Sequence, residues 1–247
     1  MAELAAAEGF PTPTMLLGPD ATSDAVNGTL AKQATRLVAG DLLLVTYSGH
    51  GSFRPDHGSD DEDGFDETFV LYDRQLLDDE LWLAWSKFEQ GVRILFVCDS
   101  CHSGTVARRV AVEAALDRVA EPPVDVAAPP ARRGRVRRLP PEARRRDFEA
   151  RRGVYGAVAR RTPSPDDVDV TATVLLFAAC QDDEEAIEDE DGGVFTKALI
   201  GAWKTVSIRN YGELFDAIVD RVSGQSPNYL TLGREDPAFE QQRPFTS

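Results

Sequence analysis

The sequence predicts an α/β fold, a three-layer sandwich whose mostly parallel sheet is flanked by helices. Three observations predict it. Short continuous aliphatic runs end in turn residues, as strands buried on both faces do. Segments with apolar residues at helical spacing lie between those runs. The chain of 247 residues is long enough to bury one sizeable core without staples.

Taken in order, a weak strand is expected at Thr12-Pro-Thr-Met-Leu-Leu17 and a strong one at Asp41-Leu-Leu-Leu-Val-Thr-Tyr-Ser48. Leu81, Trp85 and Phe88 recur at spacings of four and three, which marks a helix. Arg93-Ile-Leu-Phe-Val-Cys-Asp99 and Thr171-Ala-Thr-Val-Leu-Leu-Phe-Ala-Ala179 are the next strands. Phe195, Leu199, Trp203 and Val206 form one further helical stripe, and Leu214, Phe215, Ile218, Val219 and Val222 another. Asn210 and Glu213 stand at capping spacing before the latter, which stops near Gly224. Strands alternating with helices argue a parallel sheet covered on both faces. Residues 119–170 break the pattern with proline pairs and arginine clusters and read as a long, solvated loop. The chain thus divides into a front part, 1–118, that loop, and a back part, 171–247, within one domain.

Composition narrows the function. No apolar run approaches the roughly 18 residues of a membrane span. The first ten residues carry two acids and no base, unlike a signal peptide. Three cysteines make no even disulfide framework, so a reducing, cytoplasmic setting is expected. A net charge of −15 disfavours nucleic acid and suits basic ligands, although plain solubility accounts for most of the acids. Residues 108–161 run the other way, with about 15 basic and about 7 acidic side chains.

Two sites of chemistry follow predicted strands, where open α/β sheets collect their ligands. His50 lies in Tyr47-Ser48-Gly49-His50-Gly51, and Cys101 in Asp99-Ser100-Cys101-His102-Ser103-Gly104. Adjacent parallel strands would bring an imidazole and a thiol to one edge, as nucleophilic catalysis needs. The glycines beside the histidine leave room for a substrate backbone and free an N–H for an oxyanion. The residues alone leave other readings open. A buried small cysteine and a surface histidine are the bland one. Cys98-x-x-Cys101 as a redox pair or zinc site is another, opposed by strand alternation, which puts the two thiols on opposite faces.

These motifs resemble the caspase family, specifically its metacaspase branch. Y-S-G-H-G is followed by D-S-C-H-S-G. Asp63-Gly-Phe-Asp-Glu67, Asp73 and Leu77-Asp-Asp-Glu-Leu81 resemble the family's acidic segment. Leu176-Phe-Ala-Ala-Cys-Gln-Asp-Asp-Glu-Glu-Ala186 with Gly193-Val-Phe-Thr196 resembles its small-subunit strand and helix. Tyr211-Gly-Glu-Leu and Gln242-Arg-Pro-Phe245 match its endings. The resemblance covers nearly everything outside the basic loop. It implies a cysteine endopeptidase with Cys101 as nucleophile and His50 as the group serving the leaving amine. The N–H groups of Gly51 and Cys101 would hold the oxyanion, and no cofactor would be required. It implies that Asp99 faces the primary pocket and selects Arg or Lys, with Asp182, Asp183 and Glu184 at the pocket rim or in a solvated turn. Protein or peptide substrates with basic residues follow.

Two departures from the family stand out. Family chains open with an apolar strand and an N-x-x-D-A turn before the first helix. This sequence starts within that helix, at Met1–Phe10, so the first family strand and the second pocket carboxylate carried by its turn are expected to be missing. Many metacaspases are calcium-activated through clustered aspartates, and Asp66, Asp78 and Asp79 stand at matching places. A further aspartate is absent, however, and Arg108 and Arg109 occupy its region, which opposes calcium.

An acidic pocket and a basic loop in one chain suggest self-processing, after Arg133, Arg138, Arg146, Arg152 or Arg161 at the ends of the arginine runs. An upstream protease or a purely solubilising insertion are the alternatives. The rivals for the whole chain are an inactive caspase-like interaction module and a protease of the same clan with another specificity.

Overall fold

The computed structural model describes residues 1–55, 65–100, 135–180, 186–189, 192–205 and 207–246. In chain order, helix α1 (Ala2–Ala7) precedes α2 (Ser23–Ala34) and strand β1 (Leu42–Ser48). A meander follows, β2 (Gly51–Pro55), β3 (Phe65–Val70) and β4 (Gln75–Leu77), leading into α3 (Asp78–Trp85) and β5 (Arg93–Asp99). Then come β6 (Arg135–Val136), α4 (Pro141–Ala159), β7 (Thr173–Ala178), β8 (Ile187–Asp189) and β9 (Gly192–Gly193). The chain closes with α5 (Val194–Thr205), α6 (Tyr211–Val219), β10 (Asn228–Gly233) and α7 (Pro237–Gln241).

The main sheet has the order β1-β5-β7-β10, the first three strands parallel and the last antiparallel. Strand alternation sorts its side chains into two cores. Leu95, Val97, Leu175 and Phe177 pack with α1, α5, α6 and α7, while Ile94, Phe96, Val174 and Leu176 pack with α2 and α3. This is the three-layer sandwich that the aliphatic runs predict. β1 forms one edge, and among the described residues no strand pairs with its outer side. Its residues Leu42–Val45 are only half-buried, whereas β5 and β7 are covered throughout. Among the described residues no helix is long and apolar enough to cross a membrane.

Two expectations need correction, and one strand was not expected. Thr12–Leu17 forms no strand, and Met15 and Leu17 are exposed; with no strand beside them, aliphatic propensity alone does not make a ladder. The basic region is not one loop, because residues 141–159 are helical. Pro140 and Pro141 do not break that helix but start it, at its N-cap and first position, where no N–H is needed. Its apolar stripe reduces to the buried Tyr155 and Val158, too short to register as periodicity. Finally, β10 carries no strong aliphatic run; Tyr229 and Leu230 are half-buried at the sheet's antiparallel edge.

Candidate active site

β1 and β5 run in parallel register with Ser48 opposite Asp99. His50 is thus two residues beyond one member of that pair, and Cys101 follows two beyond the other in sequence. Cys101 itself, with Asp182 and Asp183, lies outside the described residues. His50 is exposed at the carboxyl edge of the sheet. Its carbonyl is fixed on two sides. The Tyr47 hydroxyl is 2.8 Å from His50 O and 3.0 Å from Val70 O, and Val70 N donates to His50 O at 3.0 Å. Burial, then the neighbouring Cys98, keeps the Tyr47 hydroxyl protonated well above the ordinary tyrosine range. Gly49 must be glycine, since a Cβ there would stand 2.6 Å from that hydroxyl.

Asp99 is completely buried on the α5 side of the sheet. Its Oδ2 accepts from Thr196 N at 3.1 Å and from Thr196 Oγ1 at 2.6 Å. Gly193 completes the recess, because a Cβ there would come within 1.9 Å of the carboxylate. The motif Gly193-Val-Phe-Thr196 therefore has a physical basis: one end makes space for Asp99 and the other holds it. Among the described residues no hydrogen-bond donor reaches Asp99 Oδ1. It meets the guanidinium of Arg137 at 3.4 Å.

Arg137 belongs to the basic stretch, yet its side chain is only 7% exposed. Nη1 donates to Ser48 Oγ and to Asp99 O, both at 2.7 Å. Nε lies 3.3 Å from Glu188 Oε2. The backbone around it is extended and paired on both sides. β6 runs antiparallel to β8, with Arg135 opposite Glu188 and Val136 opposite Ile187. Arg137 N donates to Ala186 O, Gly51 N to Arg137 O at 2.9 Å, and Leu139 N to Gly51 O. The segment 135–139 is thereby an added strand across the sheet edge, with the Arg137 carbonyl on the Gly51 N–H and the Arg137 side chain against Asp99.

α4 follows directly and is fastened to β4. Tyr155 Oη accepts from Gln75 N at 3.0 Å and donates to Asp147, and Gln75 Nε2 donates to Asp147 at 2.8 Å. Burial, then that bond to Asp147, raises the Tyr155 hydroxyl well above its ordinary range. The Arg144 guanidinium lies 3.8 Å from the Phe53 ring centre. Burial and the adjacent Arg138 lower the Arg144 pKa.

The remaining expected residues fall elsewhere. Arg146 and Arg152 are exposed on α4, Arg161 follows its last turn, Arg138 flanks the seated arginine, and Arg133 lies outside the described residues. Asp78 and Asp79 open α3, where Asp79 N donates to Asp78 Oδ1 and the neighbouring Glu80 is held by Arg74 at 2.7 Å. Asp66 is on β3, its side chain outside the described set. Among the described residues no three His, Cys, Asp or Glu side chains converge as a metal site. Cys98 and Cys180 are fully buried thiols, Cys98 Sγ lying 3.3 Å from Ser100 Oγ and Cys180 Sγ donating to Ser100 O at 3.4 Å. Sequence reasoning missed Ser48, Glu188, Gly193 and Thr196 as lining of the Asp99 recess. Ser48, Gly193 and Thr196 carried a signal as members of quoted motifs, and Glu188 carried none.

The chain is similar to known proteins. The family model for the caspase domain matches residues 1–246. A protein of Geobacter sulfurreducens with a crystal structure superposes with a TM-score of 0.81 at 37% identity, covering 100% of this chain and 86% of that one. Metacaspase-4 of Arabidopsis thaliana is 39% identical over 98 residues, 37% of this chain and 23% of the relative. Metacaspase-1 of Saccharomyces cerevisiae is 42% identical over 71 residues, 27% of this chain and 16% of the relative. The matched part spans less than a quarter of these relatives' length.

Proposed function

Since the chain belongs to the caspase domain family, a family of cysteine peptidases, we propose that it is an endopeptidase that cuts after arginine or lysine. Cys101 is the nucleophile. Its thiolate attacks the peptide carbonyl, the N–H groups of Gly51 and Cys101 hold the resulting oxyanion, and His50 protonates the leaving amine. A thioester remains, and water releases it. Asp99 selects the basic side chain, with Asp182 and Asp183 adding negative charge at the rim. Substrates are proteins or peptides with basic residues. A reducing, cytoplasmic setting belongs to the same reading, because the nucleophile must stay a thiol.

One observation carries this reading, the seating of Arg137. Its carbonyl oxygen is on the Gly51 N–H while its guanidinium meets Asp99. A residue ahead of a scissile bond must satisfy both contacts at once. The chain therefore holds its own substrate, and the bond to be cut in self-processing is Arg137–Arg138, one position ahead of a cut after Arg138. Until that cut, or one by an upstream protease, Arg137 competes with substrates for the recess.

The test is to incubate the pure protein with fluorogenic peptides ending in Arg, Lys or Asp. Hydrolysis after basic residues is expected, abolished in Cys101→Ala and largely kept in Cys180→Ala. Full activity in Cys101→Ala, or preference for Asp, would sink the assignment. Calcium has a modest part at most, because Arg108 and Arg109 occupy the expected site region. A rise above about tenfold over a chelated control, lost in Asp78→Ala, overturns that.

A further inference from the structure

We propose that Tyr47 is a positioning residue for the oxyanion site, its hydroxyl holding the His50–Gly51 peptide so that the Gly51 N–H faces the reacting carbonyl. The inference rests on the peptidase reading above and adds a residue to its machinery. The Tyr47 hydroxyl shares its hydrogen between two carbonyls, His50 O at 2.8 Å and Val70 O at 3.0 Å. Val70 N donates to the same His50 O at 3.0 Å. That oxygen therefore accepts from two directions, with one donor on β1 and one on β3.

A peptide unit is planar, and in the trans form its C=O and N–H point to opposite sides. Among the described residues no peptide bond is cis. Fixing His50 O on its two donors thus aims the Gly51 N–H the other way, and there it donates to Arg137 O at 2.9 Å. In the peptidase reading, Arg137 O marks the place where negative charge develops during the reaction. Were this peptide to turn over, the His50 carbonyl would face that charge and repel it. The two bonds on His50 O also polarise the peptide, which makes the Gly51 N–H a stronger donor.

The surroundings place that hydroxyl. The Tyr47 ring meets Phe69 edge to face, with ring centres 5.1 Å apart, and Phe69 stands opposite Gly51 in the β2–β3 register. Gly49 leaves the hydroxyl its space, since a Cβ there would stand 2.6 Å from it. Gly49 N in turn donates to Asp99 O at 3.4 Å, which ties the turn to the end of β5. Burial keeps the hydroxyl protonated, so it remains a donor through neutral and alkaline pH. The motif Tyr47-Ser48-Gly49-His50-Gly51 accordingly works as a unit. Tyr47 supplies the hydrogen, Gly49 the space for it, and Gly51 the N–H that it aims, with the His50 imidazole between them.

The experiment measures kcat and KM on a fluorogenic arginine peptide for wild type, Tyr47→Phe and Tyr211→Phe, at a temperature well below the melting point of each. Both variants delete one hydroxyl and keep the ring. Tyr211 is the control, because its hydroxyl accepts from Phe245 N at 3.2 Å in the core on the other face of the sheet. Formation and hydrolysis of the thioester both pass through an oxyanion, so the effect falls on kcat whichever step is slower. Tyr47→Phe is expected to lower kcat by about tenfold, the scale of one hydrogen bond and less than the loss of an oxyanion donor itself. KM is expected to stay within about twofold. Tyr211→Phe is expected to lower the melting temperature and to keep kcat within about twofold of wild type. A wild-type kcat in Tyr47→Phe, a loss confined to KM, or an equal fall of kcat in Tyr211→Phe overturns this inference and leaves the peptidase reading standing. A wild type that cuts no peptide overturns the peptidase reading and the inference with it.

Discussion

Arg137 and Arg146 belong to the same basic stretch, and the protein uses them in opposite ways. Arg137 lies in extended backbone, its N–H and carbonyl both bonded to other parts of the chain and its guanidinium buried against Asp99. Arg146 lies on α4 with its side chain 77% exposed and a loose ion pair to Glu142 at 3.8 Å. Such an exposed pair contributes at most about 1 kcal/mol. The difference teaches that local density of positive charge does not select a residue for an acidic pocket. The contact with Asp99 comes with a backbone that pairs as a strand on both sides. The α-helix spends its own N–H and carbonyl groups internally.

That contrast can be broken outright. Wild type and Cys101→Ala, expressed side by side and weighed intact, are expected to differ by a single cut at Arg137–Arg138, present in wild type alone. Arg137→Ala is expected to abolish that cut, and Arg146→Ala and Arg152→Ala to leave it complete. Fragments ending at Arg146 or Arg152 in the wild type would show that α4 opens and that the contrast is wrong.

A smaller effect tests the pocket itself. Asp99→Asn keeps the shape and the acceptor for Thr196 but removes the charge. A buried charge pair broken on one side costs roughly 2–5 kcal/mol, so cleavage after Arg is expected to fall by about a hundredfold or more. An Asp99→Asn protein with wild-type kcat/KM on arginine peptides refutes the role assigned to this carboxylate.

The smallest expected effect concerns the fastening of α4. Tyr155→Phe removes the acceptor for Gln75 N and the donor to Asp147. Leaving a buried N–H without a partner costs about 1–3 kcal/mol. In a Cys101→Ala background, which keeps the chain intact, the melting temperature is expected to drop by a few degrees. Arg146→Ala is expected to change it by less than about 1 °C. Equal shifts in the two variants would mean that α4 gains nothing from its contact with β4.

Much of the fold was legible from one-dimensional pattern. The runs 41–48, 93–99 and 171–179 announced strands because buried parallel strands are apolar on both faces, and β5 and β7 are covered on both. Asn210 and Glu213 announced the start of α6, and the Asn210 side chain does accept from Glu213 N at 2.8 Å. Where the pattern was diluted, reading failed. α4 hides its short apolar stripe among arginines, β10 is half-buried, and Thr12–Leu17 has strand-like residues with no strand to join.

The candidate site divides along the same line. The sequence alone singled out the candidate residues, His50 and Cys101 just past strand ends and Asp99 at the end of one, in motifs that resemble those of a known family. Only the tertiary structure decided what surrounds Asp99. Thr196 and Gly193 reach it from the end of β9 and the start of α5, Glu188 from β8, and Arg137 from the far side of a basic stretch that looked uniform. The physical reason is that a recess is assembled from segments distant in the chain. No local signal distinguishes one arginine among many until backbone pairing fixes which of them is held extended beside a buried carboxylate.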